Sequence, residues 1–321
     1  DAAWADLSVL KVYFETQPLP TPLAWYAHQL PGPVLAVAVA ATFAVELFLT
    51  FLIFAPRRPR FIAAWAIIAL QVLILLTGNY GFFNLLALAL TLFLFDDQAL
   101  SKLAPWKVGA RRARSIAAGF ISVYAVIALA VGIGQIYAAL IRSKDLYPAV
   151  LASWVAPFRI VNPYGAFAEI VTERNEIIIE GSPDGREWRE YEFKYKPGEL
   201  TRAPSWNIPH QPRLDWQMWF AAIGNESRDW FPNFLQRLLQ GSPEVLALLE
   251  ENPFTEAPPK FVRAMLYQYR FTIAEEKRGS WQWWERQQTG IYYPQISLLA
   301  EEPEERQRAQ RLFESLTRPR E

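Results

Sequence analysis

A compact set of acid–base side chains stands in the stretch PHQPRLDWQMWF, residues 209–220. His210, Arg213 and Asp215 fall within six positions, between Pro209 and Pro212 and beside Trp216, Trp219 and Phe220. An imidazole titrates near neutrality and a carboxylate can orient it, so these are the residue types of a general base and its support. The spacing argues otherwise. His210 and Asp215 are five residues apart with Pro212 between them, which does not set them on one helix face. No nucleophile is marked nearby, and the sequence contains no GxSxG elbow, no phosphate-binding P-loop and no GxGxxG fingerprint. Carboxylates are also dense over 169–199, but charge alternating with aromatics there has the pattern of a solvated strand face rather than a glycosidase acid pair. No catalytic residue is assigned. Two readings of the stretch stay open. In the structural one, the prolines stiffen an extended entry, Asp215 caps or pairs with Arg213, and the aromatics bury a helix face. In the binding one, His210, Arg213, Asp215, Trp216 and Trp219 face a partner.

Composition narrows the chemistry further. The 321 residues include no cysteine and only two histidines, His28 and His210, which argues against thiolate chemistry, disulfides and a multi-histidine metal site. No metal and no cofactor is expected. The 32 Lys and Arg balance the 32 Asp and Glu, so no basic face invites nucleic acid. Arginine outnumbers lysine about three to one, a bias typical of GC-rich bacterial genomes.

The elements that must carry these residues fall into two halves. The first is built for a membrane. Residues 34–54 and 61–77 are long apolar runs, 80–95 is a shorter one, and 116–140 is long and includes Gly132 and Gly134, small enough for close helix contact. Four such runs predict about four transmembrane helices over 34–140, preceded by a polar, aromatic, Pro-rich lead-in at 1–33. Arg57, Arg58 and Arg60 in the first loop, and Lys102, Lys107, Arg111, Arg112 and Arg114 in the third, place those loops in the cytoplasm. The lead-in, the uncharged TGNYG loop and the chain after 141 then lie on the other side; Arg142 and Lys144 after the fourth run weigh against this. Polar residues in or beside the spans, Glu46, Gln71, Asn79 and Asn84, read either as a site between helices or as plain interhelical hydrogen bonds.

The second half, 141–300, reads as an extramembrane α+β domain with a β-sandwich-like sheet. EIIIEGSPDGREWREYEFKY (176–195) predicts two strands about a Ser182-Pro183-Asp184-Gly185 turn, and KFVRAMLYQYRFT (260–272) a further strand. LDWQMWFAAIG, NFLQRLLQG and PEVLALLEE predict helices, the last begun by Ser242-Pro243. Asn162-Pro163-Tyr164-Gly165 reads as a turn at the domain entrance, and 301–321 as a charged tail, helical or unstructured. Trp281, Trp283 and Trp284 read as core, as a membrane-facing aromatic edge, or as a partner site.

Several long stretches, in order, resemble the lipase maturation factor family. They are ETQPLPTPLAWYAHQLP and GNYGFFNLLALALTLFLFDD in the first half, then VNPYGAFAEI, IEGSPDGREWREYEFKYKPGEL, PHQPRLDWQMWFAAIG, LLQGSPEVLALLEENPF, PPKFVRAMLYQYRFT and WWER. The resemblance covers nearly the whole chain to about residue 300. It implies a polytopic protein, resident in the endoplasmic reticulum of animals, that assists folding and assembly of secreted homodimeric lipases through a large lumenal domain. It also implies further spans upstream of Asp1 and a kinship of the membrane part with the vitamin K-dependent carboxylase group. Two departures stand out: the chain lacks the cysteines of animal members, and its arginine bias points to a bacterium, whose inner membrane would then host it. The resulting expectation is a non-covalent maturation factor, surrounded by membrane lipid, that holds an exported lipase-like client against an aromatic surface of the domain. The rivals are a membrane enzyme modifying a lipid or peptide, and a lipid- or carbohydrate-binding membrane protein.

Overall fold

Two helical turns, Leu10–Thr16 (α1) and Pro22–His28 (α2), lead into the first membrane-length segment. Pro22 sits at the start of α2, where its missing N–H costs nothing. The segment begins as α3 (Gly32–Phe43) and continues through a π turn (Ala44–Phe48) and a 3-10 turn (Leu49–Phe54). Its 23 residues, Gly32–Phe54, reach about 35 Å at 1.5 Å per residue and cover the ~30 Å hydrocarbon layer. Helix α4 (Arg57–Gly78) is of similar length. The chain then reverses at Asn79 and Gly81, both with positive φ, into α5 (Phe82–Thr91), which a 3-10 turn extends to Leu94. The positive φ at Gly81 favours glycine, and an added Cβ would also come within 2.9 Å of the exposed Gln211 side chain, which would have to shift. Phe82–Leu94, within the run expected as a span over 80–95, is a shorter apolar helical stretch that covers about 20 Å.

The structure, a computed structural model, describes residues 2–102, 115–141, 157, 170–224 and 230–298. It divides into one unit formed by Asp1–Phe95 with Ile170–Glu321 and another formed by Asp96–Glu169. The second unit contains α6 (Ser115–Ile141), whose Gly119–Tyr137 stretch is again long and apolar enough to cross a membrane. Lys107, Arg111, Arg112, Arg114, Arg142, Lys144, the turn at 162–165 and the tail at 301–321 lie outside the described residues.

The sheet domain belongs to the first unit. Strands β1 (Arg174–Ser182), β2 (Arg189–Glu190), β5 (Phe261–Phe271) and β6 (Trp284–Ser297) form an antiparallel sheet in the order β2-β1-β5-β6, and β3 (Glu192–Phe193) pairs with β4 (Leu249–Glu251). The run Ile177-Ile178-Ile179 is buried throughout, because the sheet is covered on both faces. Ile177 and Ile179 point to a core made with helices α7 (Arg213–Ala222) and α8 (Phe231–Leu239) through Met218, Phe231, Leu235 and Leu238. Ile178 points to the opposite face, where Tyr13, Phe14, Trp25 and Leu35 of the lead-in and α3 cover it. Among the described residues, the layer against the main sheet is thus helices α7 and α8 and the short β3–β4 ribbon, not a second broad sheet. The start of the lead-in also packs on the first span, with the Trp4 ring centroid 5.6 Å from that of Phe43, near the middle of Gly32–Phe54.

Local chemistry accounts for the expected turn. The Ser182 hydroxyl accepts from the Gly185 amide (2.9 Å), the Asp184 carboxylate from those of Arg186 and Glu187 (2.8 and 3.0 Å), and Gly185 has φ +77°. Those amides hold the Asp184 carboxyl below the usual range. PEVLALLEE is helical only over Pro243–Leu246. Leu249 is pulled into the core and pairs with Phe193, so tertiary pairing overrides helix propensity. Strand β6 is not apparent in the sequence: Gln287, Gln288, Gly290 and Pro294 dilute its pattern, and register shifts interrupt its pairing with β5. Pro294 is tolerated because β6 is an edge strand.

Candidate binding groove and the seam that positions it

A buried ion cluster fixes the sheet to the lead-in. Arg174, Glu176 and Ile178 share one face of β1 by the period of two. Arg174 Nε donates to Glu176 Oε1 at 2.9 Å, and Lys196 Nζ lies 3.0 Å from the other carboxylate oxygen. The guanidinium also donates to the carbonyls of Glu15 (2.6 Å), Gln17 and Pro18 (3.1 Å), and it covers the Trp284 ring at 5.3 Å. All three charged side chains are buried. Around them, Trp219 Nε1 donates to the Thr16 carbonyl (3.0 Å) and the Phe271 amide to Glu15 Oε2 (2.9 Å). Burial raises the Glu15 carboxyl above its ordinary value and lowers His28, 4.0 Å away. The Gln29 side chain brackets the next turn, donating to the Thr272 carbonyl (3.1 Å) and accepting from the Ala274 amide (3.0 Å).

The 209–220 corner closes a second seam. Asn79 Nδ2 donates to Asn207 Oδ1 at 3.0 Å, Asn207 Nδ2 to the His210 carbonyl at 3.2 Å, and Gln211 Nε2 to the Tyr80 carbonyl at 3.0 Å. The domain therefore meets the chain at the Gly32 end of the first span and the Gly78 end of the second. Asp215 Oδ1 accepts from the amides of Tyr195 (3.0 Å) and Lys196 (2.9 Å), clasping the loop after β3. Burial raises its carboxyl, and those two amides partly offset the rise. Asp215 is spent on backbone rather than on His210, whose ring rests 5.6 Å from that of Tyr195. Asp215→Ala strands two amides and is expected to cost about 2–4 kcal/mol. Asp215→Asn, which keeps an acceptor oxygen, should restore most of it. Melting of the detergent-solubilised protein reads this out, and an alanine variant as stable as wild type would refute the clasp.

Of the predicted surface residues, His210 and Arg213 are exposed, Trp216 is half-buried, and Trp219 and Asp215 are buried. Beside them opens a groove of about 400 Å³, lined by Lys194, Tyr195, His210, Arg213, Leu214 and Leu248 among others. Its lining mixes the basic Lys194 and Arg213 with His210, the Asp215 carboxyl and Gln217, beside the apolar Pro212, Leu214 and Leu248 and the Tyr195 ring. Trp281, Trp283 and Trp284 have separate fates. Trp284 is core, stacked on Phe271 with ring centroids 4.3 Å apart; Trp283 is half-buried, edge-on to Trp25 at 5.4 Å; Trp281 is 78% exposed. Asp215, Trp219 and Trp284 are thereby corrected from partner surface to interior. Lys277 places its ammonium 4.7 Å from the Trp25 ring, and burial pulls it down to about 8.

The polar residues of the spans do not converge. Asn84 donates to Gln71 at 2.9 Å, an interhelical bond between α5 and α4. Asn79 is committed to Asn207, and Glu46 lies exposed in the π turn of the first span. Among the described residues no group of three His, Asp or Glu side chains forms a metal cradle. Sequence reasoning overlooked Arg174, Glu176, Lys196 and Asn207. The signal for the first two was their i, i+2 spacing on a strand otherwise buried on both faces.

Residues 1–102 match the family described as the lipase maturation factor transmembrane domain, and residues 160–294 the lipase maturation factor C-terminal domain. Among individual relatives, lipase maturation factor 2 of Gallus gallus is 33% identical over 92% of this chain and 56% of its own length. The Homo sapiens lipase maturation factor 2 is 32% identical over 92% and 56%. Lipase maturation factor 1 of Mus musculus is 33% identical over 93% and 56%. The chain spans just over half the length of the curated relatives it matches. No solved structure matches it.

Proposed function

The chain belongs to the lipase maturation factor family, and from that premise we propose that it is a membrane-embedded maturation factor that holds a partly folded, exported lipase while the client completes folding and assembly. The carrying observation is that relatives bearing that name match both the apolar helices and the sheet domain, the two parts joined by the buried seams. The chain is an integral membrane protein. Its working surface is the groove, where Arg213 and His210 steer an acidic client segment and Tyr195, Leu214 and Leu248 bury an apolar side chain from it. Binding is non-covalent, and release follows as the client buries that side chain in its own core. The excess of arginine at Arg57, Arg58 and Arg60 supports a cytoplasmic position for that loop and a non-cytoplasmic one for the sheet domain, where an exported client would meet it. The membrane-enzyme and lipid- or carbohydrate-module readings gain nothing from these relatives.

The test is rescue of secreted lipase activity in cells lacking their own maturation factor. His210→Ala combined with Arg213→Glu removes exposed contacts of about 1–2 kcal/mol together and is expected to lower rescue roughly tenfold at unchanged protein level. Full rescue by the double variant would remove the groove from the client path. Failure of the unaltered chain to rescue any lipase tried would remove the function.

A further inference from the structure

The residues that tie the sheet domain to the spans also fix how far it stands from the bilayer. Gln29 is three residues before Gly32, where the first span begins, so it lies within about 11 Å of it even if extended. The polar layer on each side of the hydrocarbon core is roughly 5–8 Å thick. The turn Thr272–Ala274, hydrogen-bonded to Gln29, is therefore at the level of the lipid headgroups. The short helix that follows, α9 (Ala274–Ser280), does not climb away from it. Lys277, one turn on, touches the Trp25 ring, and Trp283 beyond Trp281 packs on Trp25 and Tyr26. At the other seam, Asn207 bonds Asn79, one residue past the end of the second span at Gly78, and brings Trp206 to the same level.

The side chains left exposed at this level are large and apolar: Tyr26 at 57%, Leu30 at 45%, Ile273 at 45%, Trp206 at 54% and Trp281 at 78%. An aqueous protein face leaves few such groups together. Tryptophan and tyrosine favour the membrane–water interface, where the ring is taken out of water and the polar edge stays wet. We propose that Trp281 with Ile273 on one side of the seam, and Trp206 on the other, dock into the headgroup layer and lay the sheet domain against the bilayer. The occupant is lipid, because the surface is continuous with a segment that enters the membrane two or three residues later. This placement holds whether or not the groove binds a lipase.

The absence of cysteine allows single spin labels to be introduced as Trp281→Cys, Trp206→Cys, Val37→Cys within the first span, and Glu187→Cys at the opposite end of the sheet. Glu187 follows the turn at Ser182, which pairs with Phe261, ten residues or roughly 33 Å along β5 from Phe271. The full chain is reconstituted in phosphatidylcholine–phosphatidylglycerol nanodiscs, and collision with oxygen is compared with collision with a water-soluble nickel chelate. The oxygen-to-nickel ratio at 281 and 206 should exceed that at 187 at least threefold and fall below that at 37. Ratios equal to that at 187 would overturn the proposal. So would loss of collisions with both reagents at 281 and 206, which would show that a second copy of the chain covers them.

Discussion

Arg174→Met is expected to be among the most damaging single changes in the sheet domain, costing about 3–5 kcal/mol. Methionine fills much of the volume but donates nothing. The carbonyls of Glu15, Gln17 and Pro18 lose their donor in a buried seam, and Glu176 keeps only Lys196 as counter-charge. Against a total stability of about 5–15 kcal/mol this is enough to open the seam at physiological temperature. A triple change, Arg174→Met with Glu176→Leu and Lys196→Met, separates the two parts of the loss. It removes all three charges, so what remains is the cost of the orphaned carbonyls, which now include those of Ile177 and Pro197 that Lys196 had served. If the triple variant melts well above the single one, the uncompensated carboxylate dominates; if both melt alike, the tether to the lead-in dominates. A single variant within about 1 kcal/mol of wild type would show that the cluster contributes little to the seam. Protease cleavage between the lead-in and the sheet should rise in step with the loss.

The halves of the fold were unequally legible in the sequence. The apolar runs announce membrane helices because the bilayer sets their length and no partner is needed to explain them. The isoleucine run and the Ser182-Pro183-Asp184-Gly185 turn announce β1 for similarly local reasons. Strand β6 and the strand at Leu249 are invisible because their pairing partners, β5 and β3, decide them. Within PHQPRLDW the sequence does not separate the exposed His210 and Arg213 from Asp215, which is hidden in a backbone clasp, a fate set by the loop at Tyr195 and Lys196, some twenty residues earlier in the chain. Asn79 shows the same limit in reverse. Its neighbours suggested a polar group in the membrane, whereas its partner is Asn207 in the sheet domain.

Trp281 and Trp284, three residues apart and both tryptophan, make the sharpest contrast for a mutational test. Trp284→Ala is expected to cost about 3–5 kcal/mol, the usual loss for a large aromatic taken from a core. Its ring stacks on Phe271, meets Tyr269 edge-on at 6.1 Å and carries the Arg174 guanidinium on its face, so its removal also weakens the ion cluster. Trp281→Ala removes a side chain exposed to its surroundings and should change melting in detergent by under about 0.5 kcal/mol. The difference comes from the backbone. Trp281 ends α9 with φ +61°, which turns the chain, and Trp284 enters the sheet at the first pair of β6 with β5, opposite Phe271. Sequence places both in one aromatic run, and only the turn between them sends one inward and one outward. If the two variants melt alike, Trp284 is not the keystone of the seam. If Trp284→Ala alone unfolds the sheet domain while the apolar helices stay inserted, the lead-in side of the sheet is what couples the domain to the membrane. Loss of rescued lipase secretion in that variant would then come from detachment of the groove, not from damage to it.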